Sequence, residues 1–175
     1  MCFMCSLFFI CEVKTLLKPK FKFDKITDIS LEFLKENEIS ALLLDVDNTL
    51  STHHGQQLTC GLEDWLDEMK NGGIRLLVLS NSKEKRVKPF CEKIGLPYIS
   101  LALKPLPFGF LKAIKTVKLK KKRIGVVGDQ IFTDCLGGNL AGIKTILLDP
   151  ILPEDGFSFK IRRSLEKKLL KKYKF

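Results

Sequence analysis

The stretch "ALLLDVDNTL" (41–50) runs from four apolar residues directly into two carboxylates, Asp45 and Asp47. A short apolar run that ends at a turn predicts a strand buried on both faces, as in a parallel sheet. Carboxylates this close repel each other unless a cation or a proton offsets their charge. The stretch therefore predicts a buried strand with a functional site of acidic side chains at its carboxyl end.

Size and composition indicate a single soluble globular domain. The chain has 175 residues, 45% of them hydrophobic and 29% charged, which excludes a disordered or fibrous protein. The formal net charge is +10, and residues 156–175 alone contribute +7. We therefore divide the chain into an apolar and basic N-terminal segment of uncertain structure (1–25), a nearly balanced core (26–155) and a basic amphipathic tail (156–175).

The cysteines and the N-terminus point to a cytoplasmic protein. Cys2 and Cys5 form a C-x-x-C pair, but no second pair or nearby histidine completes a zinc site. Reduced thiols in the cytosol are the simplest interpretation. The apolar run 1–11 is too short to span a bilayer, which needs about 20 residues, and lacks signal-peptide features. A packed helix, a shallow membrane anchor and a misassigned start stay open for this run.

Helical and strand patterns alternate along the rest of the chain. Helices are predicted at 27–38 (capped by Thr27 or Asp28), 59–73, 83–95, 108–119 and 132–142, and strands at 41–46, 74–81, 97–103 (weakly), 123–129 and 144–150. Pro89 should kink or restart the helix over 83–95. The alternation predicts a doubly wound α/β domain with a parallel sheet. Its active site should lie beyond the carboxyl ends of the strands.

Polar residues follow several of these predicted strands. The first strand ends in Asp45 and Asp47, the second in Ser80 and Asn81, and the strand over 123–129 in Asp129, while Lys104 directly follows the third. Each alone is also a common turn or capping residue, but their coincidence favours a site. Clustered carboxylates call for a hard divalent cation, and Mg²⁺ prefers oxygen ligands. A cation, an ammonium and a hydroxyl around one carboxylate suit phosphoryl transfer.

Four motifs carry a resemblance to a known family. In order and in context, "DVDNTL" (45–50), "SN" (80–81), "KP" (104–105) and "GDQIFTD" (128–134) resemble the motifs of the haloacid dehalogenase (HAD) phosphohydrolase superfamily. The resemblance spans about residues 26–157. It is closer to the bacterial YqeG-type phosphatases of subfamily IIIA, which are related to mitochondrial phosphatidylglycerophosphate phosphatases. It implies a Rossmann-like core and a Mg²⁺-dependent phosphatase.

The resemblance also implies a role for each motif residue. Asp45 matches the nucleophile, which forms an aspartyl-phosphate and binds Mg²⁺. Asp47 matches the general acid and base, whose carbonyl is a further metal ligand. Ser80 with its neighbour Asn81 matches the phosphate-binding position, and Lys104 matches the cation that holds the phosphoryl group. The remaining metal positions are matched by Asp129, a direct ligand, and Asp134, which supports the metal shell.

Two other classes use similar parts. A phosphorylated receiver domain carries an adjacent pair of acids at the end of its first strand, and no such pair follows residue 44. A binding-only scaffold leaves Asp47 and Lys104 without a purpose. A non-catalytic phosphate or metal sensor that binds a partner therefore stays open only as an alternative.

The motif spacing predicts an open site. Asp47 and Ser80 are 33 positions apart, and Ser80 and Lys104 are 24 apart, so neither interval has room for a cap domain. The substrate should then be part of a larger body, such as a lipid surface, a protein or a nucleic acid. Nucleic acid is not expected, because the chain has few suitably placed aromatic residues and no recognised binding motif. His53 and His54 fit a polar loop.

The tail bears on the choice of substrate. Apolar residues four apart predict a helix with one apolar stripe, formed by Ile161, Leu165, Leu169 and Tyr173. Arg162, Arg163 and three lysines lie largely off this stripe. Such a helix is typical of a peripheral membrane element attracted to anionic lipid, and equally of a helix packed on the domain. The leading predicted substrate is phosphatidylglycerophosphate, with a soluble or macromolecular phosphoester as the alternative. The sequence does not predict the oligomeric state.

Overall fold

The computed structural model describes residues 15–52, 58–152 and 157–173. The strands are β1 (Phe21–Phe23), β2 (Ala41–Leu44), β3 (Arg75–Leu79), β4 (Tyr98–Ile99), β5 (Ile124–Gly128) and β6 (Lys144–Leu148). The helices are α1 (Leu31–Glu36), α2 (Leu62–Asn71), α3 (Glu84–Ile94), α4 (Pro107–Val117), α5 (Leu136–Ala141) and α6 (Phe157–Tyr173). A π-helical turn (Ile131–Cys135) leads into α5.

The six strands form one sheet in the order β1-β6-β5-β2-β3-β4, and every neighbouring pair is parallel. Strand residues alternate between two cores, because successive side chains of a strand point to opposite faces. Leu42 and Leu44 pack with α1, α2 and α3 on one face, and Leu43 packs with α4 and α5 on the other. The predicted doubly wound α/β fold is confirmed.

The chain reverses its direction of winding at β2. From this strand it proceeds through β3 and β4 on one side, and through β5 and β6 on the other. The ends of β2 and β5 therefore lie side by side, and Asp45 N donates a hydrogen bond to the Val127 carbonyl at 2.9 Å. This is the position where open parallel sheets bind ligands.

The described residues contain no cap domain. A bridged turn between Asp47, Ser51 and Leu58, followed by α2, takes up the interval before β3, apart from residues 53–57. Only α3 and β4 lie between β3 and the segment that carries Lys104. Within the part of the chain that the structure describes, no inserted domain stands between the strands and the carboxyl edge of the sheet.

Four local expectations differ from the structure. Strand β1 was not predicted, because its three residues, "FKF", form no apolar run; it lies within the segment 1–25 and pairs with β6. The predicted helix over 27–38 begins after Ser30, whose hydroxyl accepts from Phe33 N at 3.2 Å, so Thr27 and Asp28 are not its cap. Helix α3 runs through Pro89 without restarting, whereas the kink, the other alternative expected there, stays a prediction. The predicted helix over 132–142 begins as a π-helical turn.

Helix α6 confirms the predicted tail helix, but its contacts differ from the predicted stripe. Leu169 and Leu170 pack against Ile131 and Leu147, whereas Ile161 and Leu165 are each 47% exposed. Glu166, a charged residue, is 4% exposed. The face that α6 presents to the core is thus partly polar.

Several predictions fall on residues about which little is said. The apolar run 1–11, the Cys2–Cys5 pair and the loop residues His53 and His54 lie outside the described residues. Within the described part, Cys60, Cys91 and Cys135 are free thiols. No helix there is both long enough and apolar enough to cross a bilayer.

Candidate active site

A buried cation joins two of the predicted site residues. Lys104 Nζ lies 2.7 Å from Asp45 Oδ1 and 2.6 Å from Asp134 Oδ1. The three side chains are almost inaccessible to solvent. Asp45 follows β2, Lys104 precedes α4 and Asp134 lies in the π-helical turn, so three separate elements supply the cluster. Such buried charges persist only when each has a close partner, because desolvation disfavours an unpaired ion strongly.

The pKa values of this cluster follow from burial and mutual charge. Burial raises the pKa of Asp45 to about 7, with Asp134 adding to the rise and Lys104 opposing it. For Lys104, burial acts to lower the pKa, but the two carboxylates outweigh it and leave the pKa above its ordinary value. Lys104 is therefore a fixed positive charge, whereas the ionised form of Asp45 depends on nearby positive charge to stabilise it.

Glycine at position 128 makes room for Asp134. A Cβ built on Gly128 would overlap Cγ, Oδ2 and Cβ of the Asp134 side chain. The Asp134 carboxylate also accepts from Gln130 N at 3.3 Å and from the Thr133 hydroxyl at 3.2 Å. The end of β5 is thus shaped to hold this carboxylate against Lys104.

A third carboxylate completes a set that fits a divalent cation. Asp45, Asp129 and Asp134 are all buried, and each offers an oxygen within 4.8 Å of the others. Burial raises the pKa of Asp129 well above its ordinary value, against the pull of Arg163. Its Oδ1 atom is buried and has no hydrogen-bond partner among the described residues. Oxygen-only ligands and an unpaired carboxylate oxygen suit a hard cation such as Mg²⁺.

Asp47 pairs with residues of the loop after β3 and of α3. Its carboxylate accepts from the Ser82 hydroxyl at 3.2 Å and forms an ion pair with Arg86 of α3. Neither Ser82 nor Arg86 was predicted to belong to the site. The available signal was their position, within one and a half helical turns after the "SN" motif.

Ser80 and Asn81 organise the loop that follows them. The Ser80 hydroxyl accepts from Ser82 N at 3.1 Å. The Asn81 side chain donates to the Lys104 carbonyl at 3.0 Å and accepts from Lys104 N at 2.7 Å. Asn81 therefore holds the Lys104 backbone in position, a contact that its expected phosphate-binding role did not include.

Helix α6 brings two arginines to the site, which the sequence analysis placed largely off the contact stripe. Arg163 forms an ion pair with Asp129 and donates to the Asp129 carbonyl at 2.6 Å. Arg162 donates to Gln130 Oε1 at 2.8 Å. Glu166 accepts from Ile131 N at 2.8 Å and from Arg163 at 2.9 Å, and burial raises its pKa while Arg163 opposes the rise. These contacts dock α6 at the end of β5.

The residues surround one open cavity at the carboxyl edge of the sheet. Its volume is about 450 Å³. Residues of motifs and of α6 line it together: Asp45, Asp47, Ser80, Asn81, Lys104, Pro105, Gln130, Phe132, Thr133 and Arg162. The cavity combines acidic groups at its base with cations from two sides, an arrangement that can bind and attack a phosphate ester.

Fold and site together define a HAD-like hydrolase. The model of the haloacid dehalogenase-like hydrolase family matches residues 21–142, which is more than half of the chain. The chain belongs to this family and is an enzyme, a phosphatase among the HAD-like hydrolases. The resemblance seen in the motifs is confirmed.

Two relatives and one solved structure refine this picture. The chain is 41% identical over 145 residues to "Probable phosphatase YqeG" of Bacillus subtilis, covering 83% of this chain and 84% of that protein. It is 28% identical over 156 residues to "Phosphatidylglycerophosphate phosphatase 1, chloroplastic/mitochondrial" of Arabidopsis thaliana, covering 83% of this chain and 44% of that protein. The cobalt-bound deoxy-D-mannose-octulosonate 8-phosphate phosphatase of Haemophilus influenzae shares the fold, with a TM-score of 0.52 and 14% identity over 78% of this chain and 90% of that one.

Proposed function

We propose that the protein is a Mg²⁺-dependent phosphomonoester hydrolase that acts through an aspartyl-phosphate on Asp45. One observation carries this proposal: the buried Asp45 carboxylate, paired with Lys104 at 2.7 Å, lines an open cavity together with Asp47. A nucleophile, an acid and a fixed cation then face the same space, as phosphoryl transfer requires.

In the first step the Asp45 carboxylate attacks the phosphorus atom. The bond from phosphorus to the ester oxygen breaks, and Asp47 donates its proton to the leaving oxygen. Lys104 and the Ser80 hydroxyl hold the phosphoryl oxygens beside Asp45, so that the attack is in line. The ion pair with Arg86 and the hydrogen bond from Ser82 hold the Asp47 carboxylate in one orientation through both steps.

In the second step water hydrolyses the aspartyl-phosphate. Asp47, now ionised, takes a proton from the water as its oxygen attacks phosphorus, and the bond to Asp45 breaks. Inorganic phosphate leaves and Asp45 returns as a carboxylate. The same residue thus serves as acid and then as base, which restores the enzyme after each turnover.

The carboxylates of Asp45, Asp129 and Asp134, with the Asp47 carbonyl as a further predicted ligand, would hold Mg²⁺. When bound, the ion supplies positive charge that offsets the carboxylates and the phosphoryl oxygens. Support for this comes from the unpaired Asp129 Oδ1 and from the proximity of the three carboxylates.

Binding of the metal should be measurable without turnover. We expect Mg²⁺ at about a hundredfold excess over its Kd to raise Tm by roughly 5–10 °C, because a ligand that binds only the folded state stabilises it. Asp129→Asn should lose most of this shift. Asp149→Asn, which changes an exposed acid paired with Lys22, is the matched control and should keep it. An unchanged Mg²⁺ shift in Asp129→Asn would contradict the metal assignment.

The reaction itself is tested with a generic aryl phosphate. We expect phosphate release that requires Mg²⁺ and is lost after chelation. Mg²⁺-dependent binding without turnover across a broad panel of esters would instead favour the non-catalytic sensor.

For the physiological substrate we propose phosphatidylglycerophosphate, hydrolysed to phosphatidylglycerol at a membrane surface on the cytoplasmic side. The open carboxyl edge and the name of the Arabidopsis relative support this choice. Liposomes that contain this lipid, compared with nucleotide and sugar phosphates, provide the test. Equal or better turnover of the soluble esters would reject the lipid and favour a soluble or macromolecular phosphoester.

Arg162 should contribute to substrate affinity. It lines the cavity with its guanidinium held by Gln130, where it can pair with a second anionic group of the substrate, such as a phosphodiester. We expect Arg162→Gln to raise KM for the lipid roughly ten- to a hundredfold with little change in kcat, since a hydrogen bond to a charged group contributes about 1.5–3 kcal/mol. Lys167→Gln removes the same charge from an exposed position of α6 and should leave KM unchanged.

A further inference from the structure

Four large apolar side chains are exposed on the segment that carries Lys104. Leu101, Leu103, Leu106 and Phe108, here called the apolar rim, are 55%, 56%, 51% and 67% exposed. They lie on both sides of Lys104 and Pro105, which line the active-site cavity. Isolated exposed leucines need no explanation, but several around one opening mark an interaction surface.

The backbone of this segment is strained in a way that turns the leucines outward. Leu101 and Leu103 have φ values of 48° and 56°, in the left-handed region that side-chain-bearing residues rarely adopt. Between and after them, Ala102 and Lys104 are buried. Asparagine or glycine would occupy the left-handed positions with less strain. Leucine at both positions therefore indicates that an apolar surface is needed there.

The segment is held firmly to the sheet and to α4. Leu101 N donates to the Ser82 carbonyl and Ala102 N to the Ser80 carbonyl, each at 3.0 Å. A Cβ on Gly109 would overlap the backbone of Ala102, so α4 packs directly on the segment. The apolar rim is consequently presented by a fixed backbone next to the catalytic residues.

Exposed apolar residues also occur on α6, the other element that contributes to the cavity. Ile161 and Leu165, one helical turn apart, are each 47% exposed, and Arg162 between them in sequence lines the cavity. Both elements that reach the cavity thus carry exposed apolar side chains close in sequence to a lining residue.

Positive charge accompanies these apolar residues. Lys83 lies next to Ser82, which bonds the segment, and Lys112 lies one helical turn after Phe108; both are exposed. The chain as a whole carries +10. Apolar side chains flanked by lysines match an anionic bilayer, in which leucine and phenylalanine enter the headgroup boundary and lysines contact the lipid phosphates.

We infer that the apolar rim is the membrane-contact surface of this enzyme, seated on an anionic phospholipid bilayer with the cavity opening toward the headgroups. The inference rests on the proposed function for its lipid substrate. It assigns the contact to the Lys104 segment and not to the basic tail alone. The phosphate of a substrate lipid would then reach Asp45 while the acyl chains of the lipid stay in the bilayer.

The test variant removes the apolar rim without changing charge or weakening the fold. It combines four substitutions: Leu101→Asn, Leu103→Asn, Leu106→Ser and Phe108→Gln. Asparagine tolerates the left-handed conformation, and serine suits position 106, the N-cap of α4, which has no side-chain cap. The matched control is Leu140→Gln. Leu140 is also about half exposed, at 50%, but it lies near the end of α5, at the edge of the sheet where β6 begins and away from the cavity.

Binding is measured by co-sedimentation with vesicles of phosphatidylglycerol and phosphatidylcholine, and with phosphatidylcholine alone. We expect the unaltered protein, Leu140→Gln and Asp45→Asn to bind the anionic vesicles, and the four-substitution variant to bind at least tenfold more weakly. The four-substitution variant should hydrolyse the aryl phosphate within twofold of the rate of the unaltered protein. Its turnover of phosphatidylglycerophosphate presented in vesicles should fall tenfold or more.

The inference would be overturned if the four-substitution variant bound anionic vesicles as well as the unaltered protein does, or if the unaltered protein did not bind them. It would also be overturned if light scattering showed a dimer for the unaltered protein and a monomer for the variant, with no difference in vesicle binding. The apolar rim would then be a contact between two copies of the chain. Failure of the proposed function is separate, because full aryl phosphatase activity in Asp45→Asn would leave the vesicle result intact.

Discussion

Asp45→Asn should lower phosphate release from an aryl phosphate by roughly 10⁴-fold or more, the scale of loss when a nucleophile is removed. The amide has the shape of the carboxylate but cannot attack phosphorus. Folding should survive, because burial raises the pKa of Asp45 to about 7 and so already disfavours its charge. Steady-state turnover and a thermal melt on the same preparation make the measurement.

The matched control is again Asp149→Asn, which makes the same chemical change at an exposed carboxylate. Its turnover should equal that of the unaltered protein. An acid quench of the unaltered enzyme during turnover should trap phosphate on the protein, and Asp45→Asn should trap none. Full activity in Asp45→Asn would reject Asp45 as the nucleophile.

Lys104→Met should produce the largest loss of stability. The substitution leaves the buried carboxylates of Asp45 and Asp134 without their shared cation, and breaking a buried ion pair in this way destabilises a protein by about 3–5 kcal/mol. The free energy of unfolding in urea, measured in the presence of a chelator, tests this. Turnover should fall as well, because Lys104 no longer holds the phosphoryl group.

A surface lysine provides the comparison. Lys88 pairs with Glu92 four residues on, and both side chains are more than half exposed, so Lys88→Met should change stability by less than about 0.5 kcal/mol. Adding Asp45→Asn to Lys104→Met should recover part of the lost stability, since it removes one of the two buried carboxyl groups that have lost their shared cation. A loss as small as that of Lys88→Met would show that the carboxylates do not depend on Lys104.

Much of the fold could be predicted because its signals are local. Four of the five predicted strands are apolar runs bounded by turns, and the fifth, the weak run over 97–103, shortens to Tyr98–Ile99. The strand β1 escaped prediction because three alternating residues carry no periodic signal; its place comes from pairing with β6, more than 120 residues away. Ser30 was overlooked as a cap for a related reason, since Thr27 and Asp28 are equally good capping residues and only the course of the backbone decides among them.

Within the candidate site, Asp45, Asp47, Ser80, Lys104 and Asp129 could be predicted because parallel strands end at one edge, whereas Asp134 was predicted only through the family resemblance. A polar residue just after each strand must then approach the others, whatever the loops do. The partners that lie on helices could not be found in this way. Arg86 reaches Asp47 across 39 residues, and Arg163 reaches Asp129 across 34.

Apolar runs and the residues next to them were enough to predict the α/β class, the edge of the sheet where the candidate site lies, and the positions of Asp45, Asp47, Ser80, Lys104 and Asp129 at that edge. Asp134 was predicted only through the family resemblance. The docking of α6 and the direction in which the Lys104 segment faces depend on contacts between distant parts of the chain. A helix with apolar and basic residues can pack in several rotations, and its rotation here depends on Glu166 and Arg163 finding partners at the end of β5. The outward leucines likewise depend on backbone angles that no residue pattern specifies.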